Sequence, residues 1–179
     1  TLADASEVAV VEAPGGLKVG FLSALAFVSH KAFFACTPAM EKSAGVRGLT
    51  YNGLLNAAAA DDLRSWFKQA KKRCDLLVVK PHWGEERKTV PKDYQIQLAH
   101  LMVDCGADVV LGAHPHVLQG SEIYRGAPIC YSLGNLISPR PAASGVAVLE
   151  FRGKELQELR WVPVTITKAG KVIAQRGKA

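Results

Sequence analysis

The chain has 179 residues, of which 49% are apolar and 21% charged, and its formal net charge is +6. Those proportions describe an ordinary globular domain with its own core and exclude a disordered or collagen-like chain. The longest apolar stretch, Phe21 to Val28, is too short to span a bilayer, and the positive charge is scattered, without the arginine-rich or aromatic array of a nucleic-acid surface.

Thr1 to Pro14 reads as a loop leading into a strand, so the chain opens in mid-stride, with no secretory signal in view, and is expected to be the C-terminal portion of a larger domain. Glu7 to Glu12 and Leu17 to Leu25 read as two strands split by Pro14-Gly15-Gly16, a hairpin. His30 to Asn56 has no sustained period and carries Pro38, Gly45, Gly48 and Gly53, which suits a long surface excursion. Leu63, Trp66, Phe67 and Ala70 recur at helical spacing, with the basic knot Lys68 to Arg73 on the solvated side. The helix feeds Leu76-Leu77-Val78-Val79, an apolar run suited to a strand covered on both faces, and then a polar loop, Pro81 to Val90. Pro91 opens a second helix with Leu98, Leu101, Met102 and Cys105 inward and Gly106 as its C-terminal cap. Val109 to Leu111 closes an α-β-α-β unit, hence a parallel strand pair.

Antiparallel texture follows. Glu122 to Tyr124 and Ile129 to Tyr131 flank the turn Arg125-Gly126-Ala127-Pro128, and Val146 to Phe151 pairs with Glu158 to Thr167 around Gly153. The expected fold class is α/β, a βαβ unit followed by antiparallel strands, with a single domain over residues 1–167 and a frayed basic tail over 168–179. Cys36, Cys74, Cys105 and Cys130 lack C-x-x-C spacing. Cys74 and Cys105 read as buried thiols, and the set argues against a disulfide-rich exported domain.

His114-Pro115-His116 follows the apolar run Asp108-Val109-Val110-Leu111, where a buried strand ends. Two imidazoles separated by proline cannot swing onto one point, because proline fixes its own φ and restrains its neighbour. They suit two adjacent metal ions, for which imidazole is the commonest neutral ligand. Parallel strands bring their carboxyl ends to one sheet edge. The loop with His82-Trp83-Gly84-Glu85-Glu86 therefore meets the His114 loop there, and Tyr131-Ser132-Leu133-Gly134-Asn135 reaches the same region. Trp83 is expected to pack beneath the loop, and Glu85 and Glu86 read equally as solvated charges or site residues. His100 and His30 read as surface residues, and Asp75 and Asp108 lie at the opposite edge.

His82-Trp83-Gly84-x-Glu86, Pro91, Gln97-Leu98-Ala99, Gly106 to Gly112, His114 to Gly120 and Tyr131 to Asn135 together resemble the CapA-type poly-γ-glutamate capsule synthesis proteins. These belong to the calcineurin-like metallophosphoesterase superfamily. The close match covers about Leu76 to Ile137. The resemblance implies a metallophosphatase-like β-sandwich flanked by helices, with two divalent ions (Zn, Mn or Fe). It implies that His82 and His114 ligate one ion and His116 the other, with Glu86 and Asn135 at catalytic positions nearby. It also implies work at the bacterial cell envelope on an anionic polymer or phosphate ester.

The chain departs from the family in two places. Ala113 stands where the family commonly has a second polar residue, and the family's Gly-Asp turn and Asn-His-x-x-Asp segment are not found in the sequence. Three neutral histidines leave two divalent cations without charge compensation, and a binuclear hydrolytic site needs anionic ligands. The expectation is therefore an intact protein that is a metal-dependent hydrolase completed by an N-terminal segment of the same domain, with this chain alone inactive. The alternative is a non-catalytic binding or assembly component of a capsule-polymer machine.

Overall fold

Residues 2–26, 48–49, 57–138 and 142–174 are described by a computed structural model of the chain. The excursion from His30 to Asn56 lies outside them apart from Gly48 and Leu49, as do His30 and Cys36. The chain starts with one helical turn, α1 (Leu2–Ala5), where a loop is expected from the sequence. Ser6 Oγ donates back to the Leu2 carbonyl at 2.7 Å, and the Ser6 carbonyl accepts from Trp66 Nε1 at 2.7 Å. Those two bonds close the turn and tie it to the next helix, information that no local pattern carries.

Strands β1 (Ala9–Glu12) and β2 (Lys18–Ala26) form the expected hairpin. Helix α2 (Ala57–Ala70) buries Leu63, Trp66, Phe67 and Ala70, the stripe read from the sequence. Then come β3 (Leu76–Trp83), α3 (Asp93–Asp104), β4 (Val109–Leu111), β5 (Ser121–Tyr124) and β6 (Ala127–Cys130). The six strands make one sheet in the order β1-β2-β3-β4-β6-β5, with β2, β3, β4 and β6 parallel and β1 and β5 as antiparallel edges. One contiguous core joins Leu63, Phe67, Leu98 and Met102 of the helices to Leu22, Leu77, Val79, Val110 and Ile129 of one sheet face. The fold class is α/β.

Several boundaries differ from the sequence reading. Strand β3 runs on through Pro81 and His82 to Trp83, so His82 is a strand residue and the polar loop begins at Gly84. A proline inside an interior strand normally argues against the strand, because it removes a ladder donor. Here the β3–β4 register stops at Val79↔Val110 and resumes only at the bridge His82↔Ala113, so the missing donor falls in the gap.

Pro91 stands just outside α3, whose N-cap is Lys92; its backbone N–H donates to Gln95 Oε1 at 2.9 Å. The buried stripe of α3 is Gln95, Leu98, Ala99 and Met102, whereas Leu101 and Cys105 are half-buried. Gly106 does end the helix, at φ 112°. The turn between β5 and β6 is only Arg125-Gly126, both at positive φ, which lets a two-residue hairpin follow the twist of its strands.

A second, antiparallel sheet contains β7 (Ala142–Arg152), β8 (Glu155–Ile166) and β9 (Val172–Ala174). Its first two strands are longer than their apolar runs, and the segment after Lys168 is not simply frayed, since Val172–Ala174 pairs with β8. This sheet meets the first near β5, where Trp161 Nε1 lies 3.5 Å from Ser121 Oγ. Among the described residues Cys74 and Cys130 are buried free thiols and Cys105 is a half-buried one.

His100 is not the plain surface residue expected from the sequence. Its Nε2 is 2.8 Å from Glu122 Oε1 and its ring stacks on Tyr124 at 3.9 Å. The buried Tyr131 hydroxyl donates to the same carboxylate. Burial raises the Glu122 carboxyl, but the bonds from Tyr131 and His100 outweigh it and leave the group below its ordinary value.

A depressed carboxylate adds stability that is fully present above its unfolded pKa, near 4.5, and is lost as the pH falls through the lower folded value. The wild-type urea midpoint is therefore expected to drop more steeply below pH 4.5 than that of Glu122→Gln. Equal acid dependence of the two proteins would count against this role for Glu122.

Candidate functional site

The carboxyl ends of β3, β4 and β6 lie together, and backbone bonds knit the segments that follow them. Trp83 N donates to Ala113 O and Ala113 N to Pro81 O, both at 3.0 Å; Arg87 N donates to Pro115 O at 2.8 Å. Leu133 N donates to Gly112 O at 3.1 Å, and Leu118 bridges Leu133. Beneath them Trp83 is fully buried, and its Nε1 donates to Tyr131 O at 2.9 Å. As expected, Trp83 supports the site from below.

On this platform His114 Nδ1 lies 3.0 Å from His82 Nε2, with ring centroids 4.7 Å apart. The His116 ring is 6.0 Å from that of His114, and its Nδ1 is 2.9 Å from Asn135 Oδ1. The His-Pro-His segment thus does divide its imidazoles between two points. It does so differently from the proline argument: His114 precedes Pro115 yet sits at φ 103°, and His116 is at 59°. Non-glycine residues at positive φ cost about 1–3 kcal/mol each and persist where the surroundings over-determine them, often at functional sites.

The electrostatics favour neutral rings at His82 and His114. Partial desolvation lowers the His82 pKa, and His114, His116 and Lys80 push it further down. Desolvation also lowers that of His114, opposed by the Glu86 carboxylate. Neutral imidazole is the form that ligates metal.

Two nitrogens held at 2.0–2.1 Å from one tetrahedral ion would lie about 3.3 Å apart, so the spacing of His82 and His114 fits a shared ion. Asn135 Oδ1 can only accept, so His116 Nδ1 carries the proton in that bond and leaves Nε2 for a ligand. Asn135 therefore orients His116. Glu86 is exposed, and its charge reaches His114; Glu85 pairs with Lys92 at 3.2 Å.

Among the described residues no group of three or more His, Cys, Asp and Glu side chains is placed to hold an ion. Asp75 and Asp108 are engaged at the opposite edge, Asp75 accepting from Lys18 N at 2.9 Å and Asp108 from Leu77 N and Lys71 Nζ at 2.6 Å.

Sequence reasoning missed the clamp behind the site. Buried Gln95 donates from Nε2 to Gln119 Oε1 at 3.1 Å, and Gln119 Nε2 donates to Lys88 O at 2.9 Å. Tyr94 Oη accepts from Gly84 N at 2.6 Å. Helix α3 thereby holds the loops that carry both histidine motifs. The available signal was Gln95 itself, a polar residue on the inward face of its helix.

A mixed sheet with helices on one face, an antiparallel sheet beside it and a histidine cluster at the parallel strands' carboxyl edge describes the class. The family "Bacterial capsule synthesis protein PGA_cap" matches residues 1–140, and the chain belongs to that family. It is similar to "PGA biosynthesis protein CapA" of Bacillus subtilis, 52% identical over 69 residues, covering 38% of this chain and 18% of that protein. It is also similar to "Capsule biosynthesis protein CapA" of Bacillus anthracis, 51% identical over 67 residues, or 37% and 16% of the two chains. A Mycobacterium tuberculosis protein named "Probable polyglutamine synthesis accessory protein" is 34% identical over 110 residues, 60% of this chain and 27% of the relative. The matched segments span less than a third of each relative's length.

Proposed function

We propose that the chain carries the histidine side of a two-metal hydrolytic centre in a capsule-polymer synthesis protein. His82 and His114 would hold one divalent ion and His116, oriented by Asn135, would face the other. The observation that carries this reading is the pair of imidazole nitrogens 3.0 Å apart, one at the end of β3 and one in the segment that follows β4, with a third imidazole 6.0 Å from the His114 ring. Such ions act as Lewis acids toward a phosphoryl or carbonyl oxygen. The chain's own residues orient His116, favour the neutral form of His82 and His114 and form the floor of the site. Anionic ligands would come from a part of the protein outside the described residues, because three neutral donors do not balance two divalent charges.

An anionic polymer or a phosphate ester is the substrate class this reading favours, and the bacterial cell envelope the location. What supports the location is membership of a capsule synthesis family; no helix among the described residues is long and apolar enough to cross a membrane. The test is metal analysis of the full-length protein, followed by a phosphodiester assay before and after chelation. Bound divalent metal and hydrolysis that returns on adding metal back are expected. A metal-free, inactive full-length protein would sink the hydrolase reading and leave the non-catalytic assembly role.

A further inference from the structure

We infer that the pocket floored by Lys80, beside His82, binds an oxyanion of the substrate, a carboxylate or a phosphate; this rests on the hydrolase reading above. Lys80 and His82 are two residues apart on β3 and are both exposed, whereas Val79, Pro81 and Trp83 are buried on the face toward the helices. Strand alternation puts Lys80 and His82 on one face, roughly 6.7 Å apart along the strand. Next to Lys80 opens a pocket of about 340 Å³ whose lining includes Gly112, Ala113, Gly134, Leu136 and Val146. Among the described residues that line it, Lys80 carries the only charge.

A larger pocket at the opposite sheet edge shows what decides the matter. It holds about 730 Å³ and is lined by Lys71, Arg125 and Lys154 among others. Each of those cations has a carboxylate partner: Asp108 at 2.6 Å, Asp104 at 2.8 Å and Asp75 at 3.7 Å. That basin is internally neutralised, so its size offers an anion little. In the smaller pocket no carboxylate among the described residues is paired with Lys80, and the walls are glycine, alanine and aliphatic side chains. An ammonium group in such surroundings is satisfied by an oxyanion, and the apolar walls suit a few methylene or ribose carbons behind it.

The pocket is also built into the candidate site. Gly134, which lines the pocket, is followed directly by Asn135, and Ser144 Oγ of β7 donates to the carbonyl of Asn135, whose side chain meets His116. Strand β7, which supplies Val146 to the wall, therefore sits at a fixed place relative to the histidines. The implied substrate has its anionic group about two strand residues from the reacting centre.

The experiment is a titration of the full-length protein, stripped of metal, with inorganic phosphate and separately with glutarate, followed by chemical-shift changes. Lys80→Gln is expected to weaken binding of whichever anion is taken by about tenfold or more, and Lys80→Arg to restore most of it. Dependence on Lys80 for phosphate alone points to a phosphate ester, for glutarate alone to a carboxylate polymer, and for both to a general oxyanion site; each supports the inference. Failure of both anions to bind, or equal binding by Lys80→Gln and wild type, overturns it. Since no metal is present, that outcome stands apart from the metal analysis that tests the hydrolase reading.

Discussion

Gly112→Ala is expected to destabilise the protein by about 2–6 kcal/mol, because a methyl group has nowhere to go. A Cβ built on Gly112 would lie 2.0 Å from the Tyr131 carbonyl oxygen and 2.5 Å from Trp83 Nε1. The first neighbour is backbone and the second a fully buried indole, so neither can swing aside. The methyl would also intrude on the Trp83–Tyr131 hydrogen bond, leaving a buried donor unsatisfied. Overpacking costs about 1–3 kcal/mol and the unsatisfied donor about 1–3 kcal/mol more, together a large part of a typical stability of 5–15 kcal/mol. A urea unfolding curve with a lower midpoint and unchanged slope checks it. A loss below 1 kcal/mol would mean that the strand ends yield and that the platform is softer than its geometry implies.

That position also shows where the sequence was legible. Gly112 could be read as the end of an apolar strand, but its contact with Tyr131 and Trp83 depends on β6 joining β4 in parallel, a pairing between segments separated by the histidine loop and β5. Local periodicity identified α2, the core of β3, β4 and the histidine-bearing loops, because those elements bury one face or run as apolar strands. It stopped β3 three residues early, at Pro81, since a proline breaks a ladder only where a neighbour continues, and β4 does not.

Buried polar residues were the other blind spot. Gln95 lies on the inward stripe of its helix, but only Gln119, from a distant loop, explains how a polar side chain is satisfied there, and His100 looks like a surface residue until Glu122 and Tyr124 arrive from the hairpin. The candidate site itself was more legible than its support. His82, His114, His116 and Asn135 were read from strand ends together with the family resemblance, and the structure brings them together. Lys80 was missed because a pocket wall from β7 is needed to make it more than an exposed lysine.

On the proposed two-metal reading, His114→Ala and His116→Ala are expected to lose metal differently in the full-length protein. His114 shares its point with His82 at 3.0 Å, so its removal leaves one imidazole where two converged and weakens that ion by more than about 100-fold. His116 stands with Asn135 instead, and its loss leaves the His82–His114 pair intact, so one ion of two is expected to remain. Metal content after gel filtration, read beside a thermal melt to exclude unfolding, distinguishes these outcomes. Wild-type metal content in both variants would remove the histidines from the centre. The backbone supplies an independent check that needs no metal. At φ 103° an alanine keeps the strain that glycine releases, so His114→Gly is expected to be about 1 kcal/mol more stable than His114→Ala, although both lack the imidazole. Equal stability of the two would show that the loop relaxes once the ring is gone. A stabler glycine variant would show that the chain holds a strained histidine there at a cost to its own stability, which the proposed ligand role would explain.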